Sequence, residues 1–283
     1  MTLQERKQKL KQELADQFDP IELNSLLSIL FEHITGLNQL QQVIHKNEIL
    51  SDPQRMELEK NTEALINGKP IQYITGKAWF MEKEYFVNED VLIPRPETEE
   101  LVAWVIEYAE IINKPLQIID IGTGSGCIPI ALKSALPHCN LTGLDMSPKA
   151  LNIAKLNAEK CALNIDWIQQ DILMSASLPS KYDIIVSNPP YIPINEKENM
   201  QVQVKNFEPA IALFVSNEDP LIFYRTIGRL AKQYLNPNGQ LFFEIHYDQG
   251  KALLSLFEEM GFHASLREDM YGKDRMIRAS LKS

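Results

Sequence analysis

Over the first 68 residues apolar side chains recur at three- and four-residue spacing, the period of helices that bury one face. Leu10 and Leu14 share such a face. Asp19-Pro20 then supplies a helix cap followed by a proline already set at helical φ, which predicts a helix over Ile21 to Thr35. Its apolar residues are Leu23, Leu26, Leu27, Leu30, Phe31 and Ile34, and Gly36 is placed to end it in a left-handed cap. Asp52-Pro53 repeats the start signal for a helix carrying Met56, Leu58, Leu65 and Ile66, with Gly68-Lys69-Pro70 as the stop. Residues 1–72 are therefore expected to form a small helical domain. It serves either as a solvated cap on the main body or as a substrate-docking module.

The period changes at Tyr73. Trp79, Phe80, Tyr85, Phe86 and Val87 around the charged Glu82-Lys83-Glu84 predict a β-hairpin, and residues 73–92 are expected to connect two domains. Within residues 93–283 helices alternate with short apolar strands. The strands are Leu116 to Ile121, Asn140 to Asp145, Ile165 to Gln169, Tyr182 to Ser187, Gln240 to His246, and two more flanking Tyr271-Gly272-Lys273-Asp274. Such alternation predicts an α/β fold: a mostly parallel, Rossmann-like sheet with helices on both faces, ending in an antiparallel edge hairpin.

A length of 283 residues suits this division, and 45% hydrophobic with 23% charged residues exclude wholesale disorder. Twenty-eight basic against 38 acidic residues give a formal charge of −10, which disfavours binding to phosphate backbones or anionic membranes. The polar opening and the absence of any long apolar run predict a cytoplasmic protein, expected to be a monomer with no direct nucleic-acid or membrane partner. Cys127, Cys139 and Cys161 are widely spaced and expected to be reduced, and the five histidines lack ligand spacing, so no metal is predicted.

The strand ending Asp120-Ile121 runs into Gly122-Thr123-Gly124-Ser125-Gly126 and then an apolar helix. Three glycines there are expected to let backbone approach a ligand where any Cβ would collide, although a tightly packed turn would look the same. The next strand closes with Asp145, placed to accept both ribose hydroxyls. Ser147 fits the following helix cap better than Asp145 does. After the third strand, Asp171 could accept an exocyclic adenine amine while Ile172 covers the ring, with turn chemistry as the competing role. Together these describe an adenosine-containing cofactor, and both NAD and S-adenosylmethionine satisfy them. Gly-x-Gly-x-Gly, in place of the Gly-x-Gly-x-x-Gly that accommodates a pyrophosphate, favours S-adenosylmethionine. Asp120 would then help hold its cationic aminoacyl end, or would orient the glycine loop.

The fourth strand ends in Asn188-Pro189-Pro190-Tyr191. Prolines have no N–H, so the segment presents carbonyls as acceptors in fixed geometry. A planar –NH2 placed between the Asn188 side-chain oxygen and the Pro189 carbonyl would donate one hydrogen to each, freeing its lone pair, while Tyr191 stacks on the planar group. Catalysis would then be positioning and electrostatics, with proton loss after transfer. A loop merely stiffened by proline is the alternative.

Asn-Pro-Pro-Tyr after such a glycine turn resembles methyltransferases that act on exocyclic or amide –NH2 groups. Leu92-Ile93-Pro94-Arg95-Pro96-Glu97-Thr98-Glu99, preceded by Tyr73-Ile74-Thr75-Gly76 and an aromatic hairpin, resembles the release-factor glutamine methyltransferases. Phe207-Glu208-Pro209 and Asn238-Gly239-Gln240-Leu241-Phe242-Phe243-Glu244 match later segments of that family, so the likeness spans nearly the whole chain. The resemblance implies S-adenosylmethionine as cofactor and peptide chain release factors as protein substrates, methylated at N5 of the glutamine in their Gly-Gly-Gln motif. It implies cofactor contacts at Thr98, Gly122 to Gly126, Asp145 and Asn188, and a glutamine pocket at Asn188, Pro189, Pro190 and Tyr191. Ile172 stands where many relatives carry an aromatic, and His246 replaces a usual glycine. Enzymes that methylate a ribosomal-protein glutamine are the nearest alternative. An N6-adenine methyltransferase would need basic surface to hold a duplex, and an intact Asn188 argues against a non-catalytic binding module.

Overall fold

A computed structural model describes residues 1–200 and 202–282, and these divide into two compact units. The first comprises Met1–Gly76 together with the helix Val202–Phe207; the second runs from Lys77 to Met200 and from Glu208 onward. The division at Gly76 falls inside the stretch expected to be a connector.

The first unit contains α1 (Leu3–Glu13), α2 (Pro20–Thr35), α3 (Gln39–Ile44), α4 (Asp52–Ile66) and α5 (Ile71–Thr75). Asp19 accepts from the N–H groups of Ile21 and Glu22, and Gly36 closes α2 at φ +73°. The cap of α4 is Ser51, not Asp52: its hydroxyl accepts from Gln54 N while the Gln54 side chain returns to Ser51 N. Pro53 occupies the second helical position, where its missing N–H costs nothing. Leu10, Leu27, Leu30, Phe31 and Leu58 are fully buried in one cluster, whereas Met56 is 72% exposed. Tyr73, expected in the hairpin, belongs to α5, which starts after Pro70 and stops at Gly76 (φ +70°).

In the second unit β1 (Lys77–Phe80) and β2 (Lys83–Phe86) form the predicted hairpin, turning through Met81 and Glu82 in the left-handed region, as a two-residue loop requires. The Asn157 side chain docks it, accepting from Phe86 N at 2.6 Å and donating to Phe86 O at 3.0 Å. The remaining elements are α6 (Pro96–Ile112), β3 (Gln117–Ile121), α7 (Cys127–Ala135), β4 (Asn140–Asp145), α8 (Pro148–Lys160), β5 (Asp166–Gln169), β6 (Tyr182–Ser187) and β7 (Ile192–Pro193). A 3₁₀ turn (Ile194–Asn199) follows, and α9 is Val202–Phe207 of the first unit. The chain continues through α10 (Ala210–Leu213), β8 (Phe214–Val215), α11 (Ile222–Tyr234), β9 (Leu235–Glu244), α12 (Gly250–Glu259), β10 (Phe262–Glu268) and β11 (Asp274–Leu281).

Among the described residues seven strands form one sheet in the order β10-β11-β9-β6-β3-β4-β5. β5, β4, β3, β6 and β9 are parallel, and β11 and β10 add the antiparallel edge. Ile118 and Phe242 feed the core on one face, Ile119, Ile121, Leu241 and Phe243 the core on the other, as the two-residue strand period demands. Among the described residues no helix is long and apolar enough to cross a membrane.

Trp167 keys the glycine turn onto the sheet. A Cβ on Gly143, its neighbour across β4 and β5, would come within 2.4 Å of the indole, and one on Gly126 would come within 3.0 Å of both the indole and Ala154. The ring fills the space that these two glycines leave open. Gly143→Ala is therefore expected to destabilise the protein by about 1–3 kcal/mol through overpacking, with Trp167→Leu in the same chain recovering part of the loss. Equilibrium urea unfolding measures both; a single variant as stable as the parent would contradict this packing.

Candidate active site

β3 has parallel neighbours on both sides, so the crossovers leaving it diverge and open a crevice at its carboxyl end. A cavity of about 430 Å³ lies there. Its walls are Gly122 and Gly124, the segment Leu144 to Ser147, Asp171 to Leu173, Ser187 to Pro190, and a strap around Ile211 and Phe214, with Asp90 to Leu92 at the rim. Residues Ile192 and Pro193 pair in parallel with Phe214 and Val215, tying the strap to the chain just after Tyr191.

The glycines play two different parts. Gly122 (φ +80°) and Gly124 (φ +54°) are required by backbone conformation, and a Cβ on either would meet no atom within 4 Å, leaving room for a ligand. Gly126 (φ +79°) is required by the packing of Ala154 and Trp167. The expected collision with a ligand thus does not apply to it. Thr123 and Ser125 are buried within the turn and off the cavity wall. The Ser125 carbonyl accepts from Asn157 Nδ2.

Three carboxylates end successive strands. Asp120 is fully buried just before the turn, off the cavity wall, and neither oxygen has a hydrogen-bond partner among the described residues. Burial, opposed by the nearby Thr123 hydroxyl and reinforced by the charge of Asp145, pushes its pKa up to about 7. Asp145 lines the cavity, accepting from Gly124 N and Ser147 N at 2.9 Å each, and burial raises its pKa against those bonds. Ser147 caps α8, as its spacing suggested. Asp171 also lines the cavity, but one of its oxygens is engaged by Leu173 N at 2.9 Å, so the turn chemistry weighed against its binding role is present. Ile172 is buried in the core beneath and contributes to the wall.

Asn188, Pro189 and Pro190 line the cavity opposite the glycine turn. Asn188 Nδ2 donates to Thr98 Oγ1 at 3.1 Å, and Thr98 Oγ1 donates to Glu244 Oε2 at 2.6 Å. Tyr191 OH donates to the other oxygen, Glu244 Oε1, at 3.0 Å. Thr98 and Tyr191 therefore stand behind the wall, bonded to a carboxylate that is 1% exposed. Burial raises the pKa of Glu244 against these two bonds and the charge of Arg275. With Nδ2 committed to Thr98, the Asn188 side-chain oxygen is left as an acceptor.

Other contacts carry no local sequence signal. Arg95 Nη2 pairs with buried Glu208 at 2.5 Å, joining Pro94-Arg95-Pro96 to Phe207-Glu208-Pro209 across 113 residues of chain. Ser187 Oγ donates to Ile121 O at 2.5 Å and locks β6 to β3 at the crevice. His246 packs its ring 5.9 Å from that of Tyr191. Among the described residues no group of three or more His, Cys, Asp or Glu side chains could hold a metal ion.

A fully buried acid leaves a thermodynamic signature. Asp120 titrates near 3.9 in an unfolded chain and near 7 here, so the native state holds a proton that the unfolded state has lost. Its contribution to stability is full below about pH 4 and disappears as pH rises through about 7. Asp120→Asn is expected to remove that slope and to make the ligand-free protein more stable at pH 8, by up to about 4 kcal/mol at about 1.4 kcal/mol per pKa unit. Denaturant unfolding of both proteins between pH 4 and pH 8 tests this; parallel stability profiles would show that Asp120 is not a desolvated acid.

Residues 108–268 match the family described as Methyltransferase small domain, and residues 7–76 match the PrmC N-terminal domain. A release factor glutamine methyltransferase of Flavobacterium psychrophilum is 42% identical over 96% of this chain and 96% of its own length. One from Bacteroides thetaiotaomicron is 38% identical over 96% of this chain and 97% of its own. A methyltransferase of Pyrococcus furiosus superimposes with a TM-score of 0.52 at 12% identity, covering 82% of this chain and 100% of that one, which shows the shared fold alone. Matched over nearly its full length by these relatives, with Gly122 and Gly124 of the glycine turn and Asn188-Pro189-Pro190 lining one cavity, the chain belongs to the release factor glutamine methyltransferase family.

Proposed function

We propose that the protein transfers a methyl group from S-adenosylmethionine to the side-chain amide nitrogen, N5, of the glutamine in the Gly-Gly-Gln motif of peptide chain release factors. The observation that carries this reading is the orientation of Asn188, whose NH2 is spent on Thr98 while its oxygen remains an acceptor at the cavity wall. A primary amide –NH2 has two hydrogens to give, and the Asn188 oxygen and the Pro189 carbonyl are two acceptors on adjacent residues. Engaging both hydrogens turns the nitrogen lone pair away from the acceptors.

The cofactor supplies an electrophilic methyl group on a cationic sulfur. The residues present fit it: Gly122 and Gly124 leave open space, Asp145 retains lone pairs for ribose hydroxyls, and the unpartnered Asp120 carboxylate favours a nearby cation. Asn188 and Pro189 hold the accepting nitrogen, and the strap adds the apolar side chains of Ala212, Phe214 and Val215 to the same cavity. Neither is a base. The extra proton leaves after transfer, when the nitrogen has become strongly acidic. The helical unit of residues 1–76, with its own buried core, is read as the docking surface for the intact factor.

Asn188→Ala is expected to lower kcat by ~10²–10³ while leaving substantial cofactor affinity, measured by calorimetry. Near-normal turnover would sink the proposed acceptor role. With methyl-labelled cofactor, intact release factor is expected to be labelled efficiently and a Gly-Gly-Gln peptide poorly, because the peptide loses its conformational freedom on docking and lacks the contacts of the folded factor. Preferred labelling of a ribosomal protein or of DNA adenine would overturn the substrate assignment.

A further inference from the structure

We infer that Glu244 is a positioning residue which, acting through Thr98, fixes the side-chain amide of Asn188 with its oxygen toward the accepting –NH2. The inference rests on the functional reading above and assigns a part to two residues on α6 and β9 that do not line the cavity.

The argument follows the protons. Burial works against the charge of Glu244, but two hydroxyl donors and the charge of Arg275 favour it, and an ionised carboxylate has no proton to donate: Thr98 donates to Oε2 at 2.6 Å and Tyr191 to Oε1 at 3.0 Å. Thr98 has a single hydroxyl proton, and it is now spent. Toward Asn188, 3.1 Å away, the Thr98 oxygen can only accept, which requires the Asn188 NH2 there. The reversed amide would set two oxygens against each other with no proton between them. An asparagine side chain is nearly symmetric in shape, so its environment must choose its orientation. The choice is made here by a buried charge two hydrogen bonds away. The same carboxylate holds Tyr191, the last residue of the tetrapeptide, behind the cavity wall, so one acceptor anchors both ends of the segment that carries the pocket's acceptors.

Polarity, as distinct from shape, is what the test must change. Glu244→Gln keeps volume but can donate to Thr98, freeing the Thr98 proton for the Asn188 oxygen and permitting the reversed amide. Thr98→Val keeps shape and removes the relay, and Thr98→Ser keeps the hydroxyl. Glu244→Gln and Thr98→Val are each expected to lower kcat on intact release factor on the order of 10²-fold. Cofactor dissociation constants should change far less than kcat, because Thr98 and Glu244 lie off the cavity wall, and Thr98→Ser should recover most of the activity lost in Thr98→Val. Added to Asn188→Ala, Thr98→Val should cost nothing more, since the relay would have nothing left to orient. A second readout needs no substrate. In protein labelled with ¹⁵N at asparagine, the Asn188 side-chain NH2 resonances, identified by their loss in Asn188→Ala, should shift in Thr98→Val and Glu244→Gln and return toward the parent position in Thr98→Ser. Unchanged Asn188 resonances in Glu244→Gln and Thr98→Val, or a Thr98→Val loss that adds in full to that of Asn188→Ala, would overturn the relay. Failure of the parent protein to methylate release factor would count against the functional reading alone, because the resonances report the orientation whatever the acceptor.

Discussion

The reversal of strand order at β3 is the constraint on which the site depends. With β4 on one side and β6 on the other, both parallel to it, the chain cannot cover the carboxyl end of β3 with a single crossover, and the gap becomes the cavity. Five parallel strands deliver their last residues to that edge. β3 brings Asp120 and the glycine turn, β4 brings Asp145, β5 leads to Asp171, β6 brings Asn188, and β9 brings Glu244. Ser187, bonded to the Ile121 carbonyl, and Trp167, seated over Gly126 and Gly143, hold the edge in register.

Electrostatics distinguishes two carboxylates at that edge. Asp120 is buried without hydrogen-bond partners among the described residues, an arrangement that costs free energy in the ligand-free protein. Glu244 is equally buried but receives two hydroxyls, so its charge is spent on orientation. Burial raises both acids, and the partners account for the difference in their chemistry.

Much of this was legible in the sequence wherever a signal is local. Strand ends, the glycine turn, the hairpin and the helix stop at Gly36 each announce themselves within a few residues. Misreadings arose where two local signals compete. Ser51 and Asp52 are both good caps, and Pro53 is tolerated at the first or second helical position. Tyr73 has strand propensity, but Pro70 and Gly76 frame a helical turn. The glycines of the turn look alike on paper, yet only the fold shows that Gly126 answers to Trp167 while Gly122 and Gly124 answer to backbone conformation. What no local pattern could disclose is the network joining Thr98, Asn188 and Glu244, separated by 90 and 146 residues, because its members meet only when β6, β9 and α6 pack together.

The central claim is that Asn188 presents its oxygen, and Pro189 its carbonyl, to the amide nitrogen that receives the methyl group. A crystal structure of the protein with the demethylated cofactor and intact release factor measures this directly. The account predicts the glutamine amide nitrogen within about 2.7–3.2 Å of both oxygens, with the Asn188 NH2 still on Thr98. A glutamine nitrogen held elsewhere in the cavity, or an Asn188 amide turned with its oxygen toward Thr98, would contradict it.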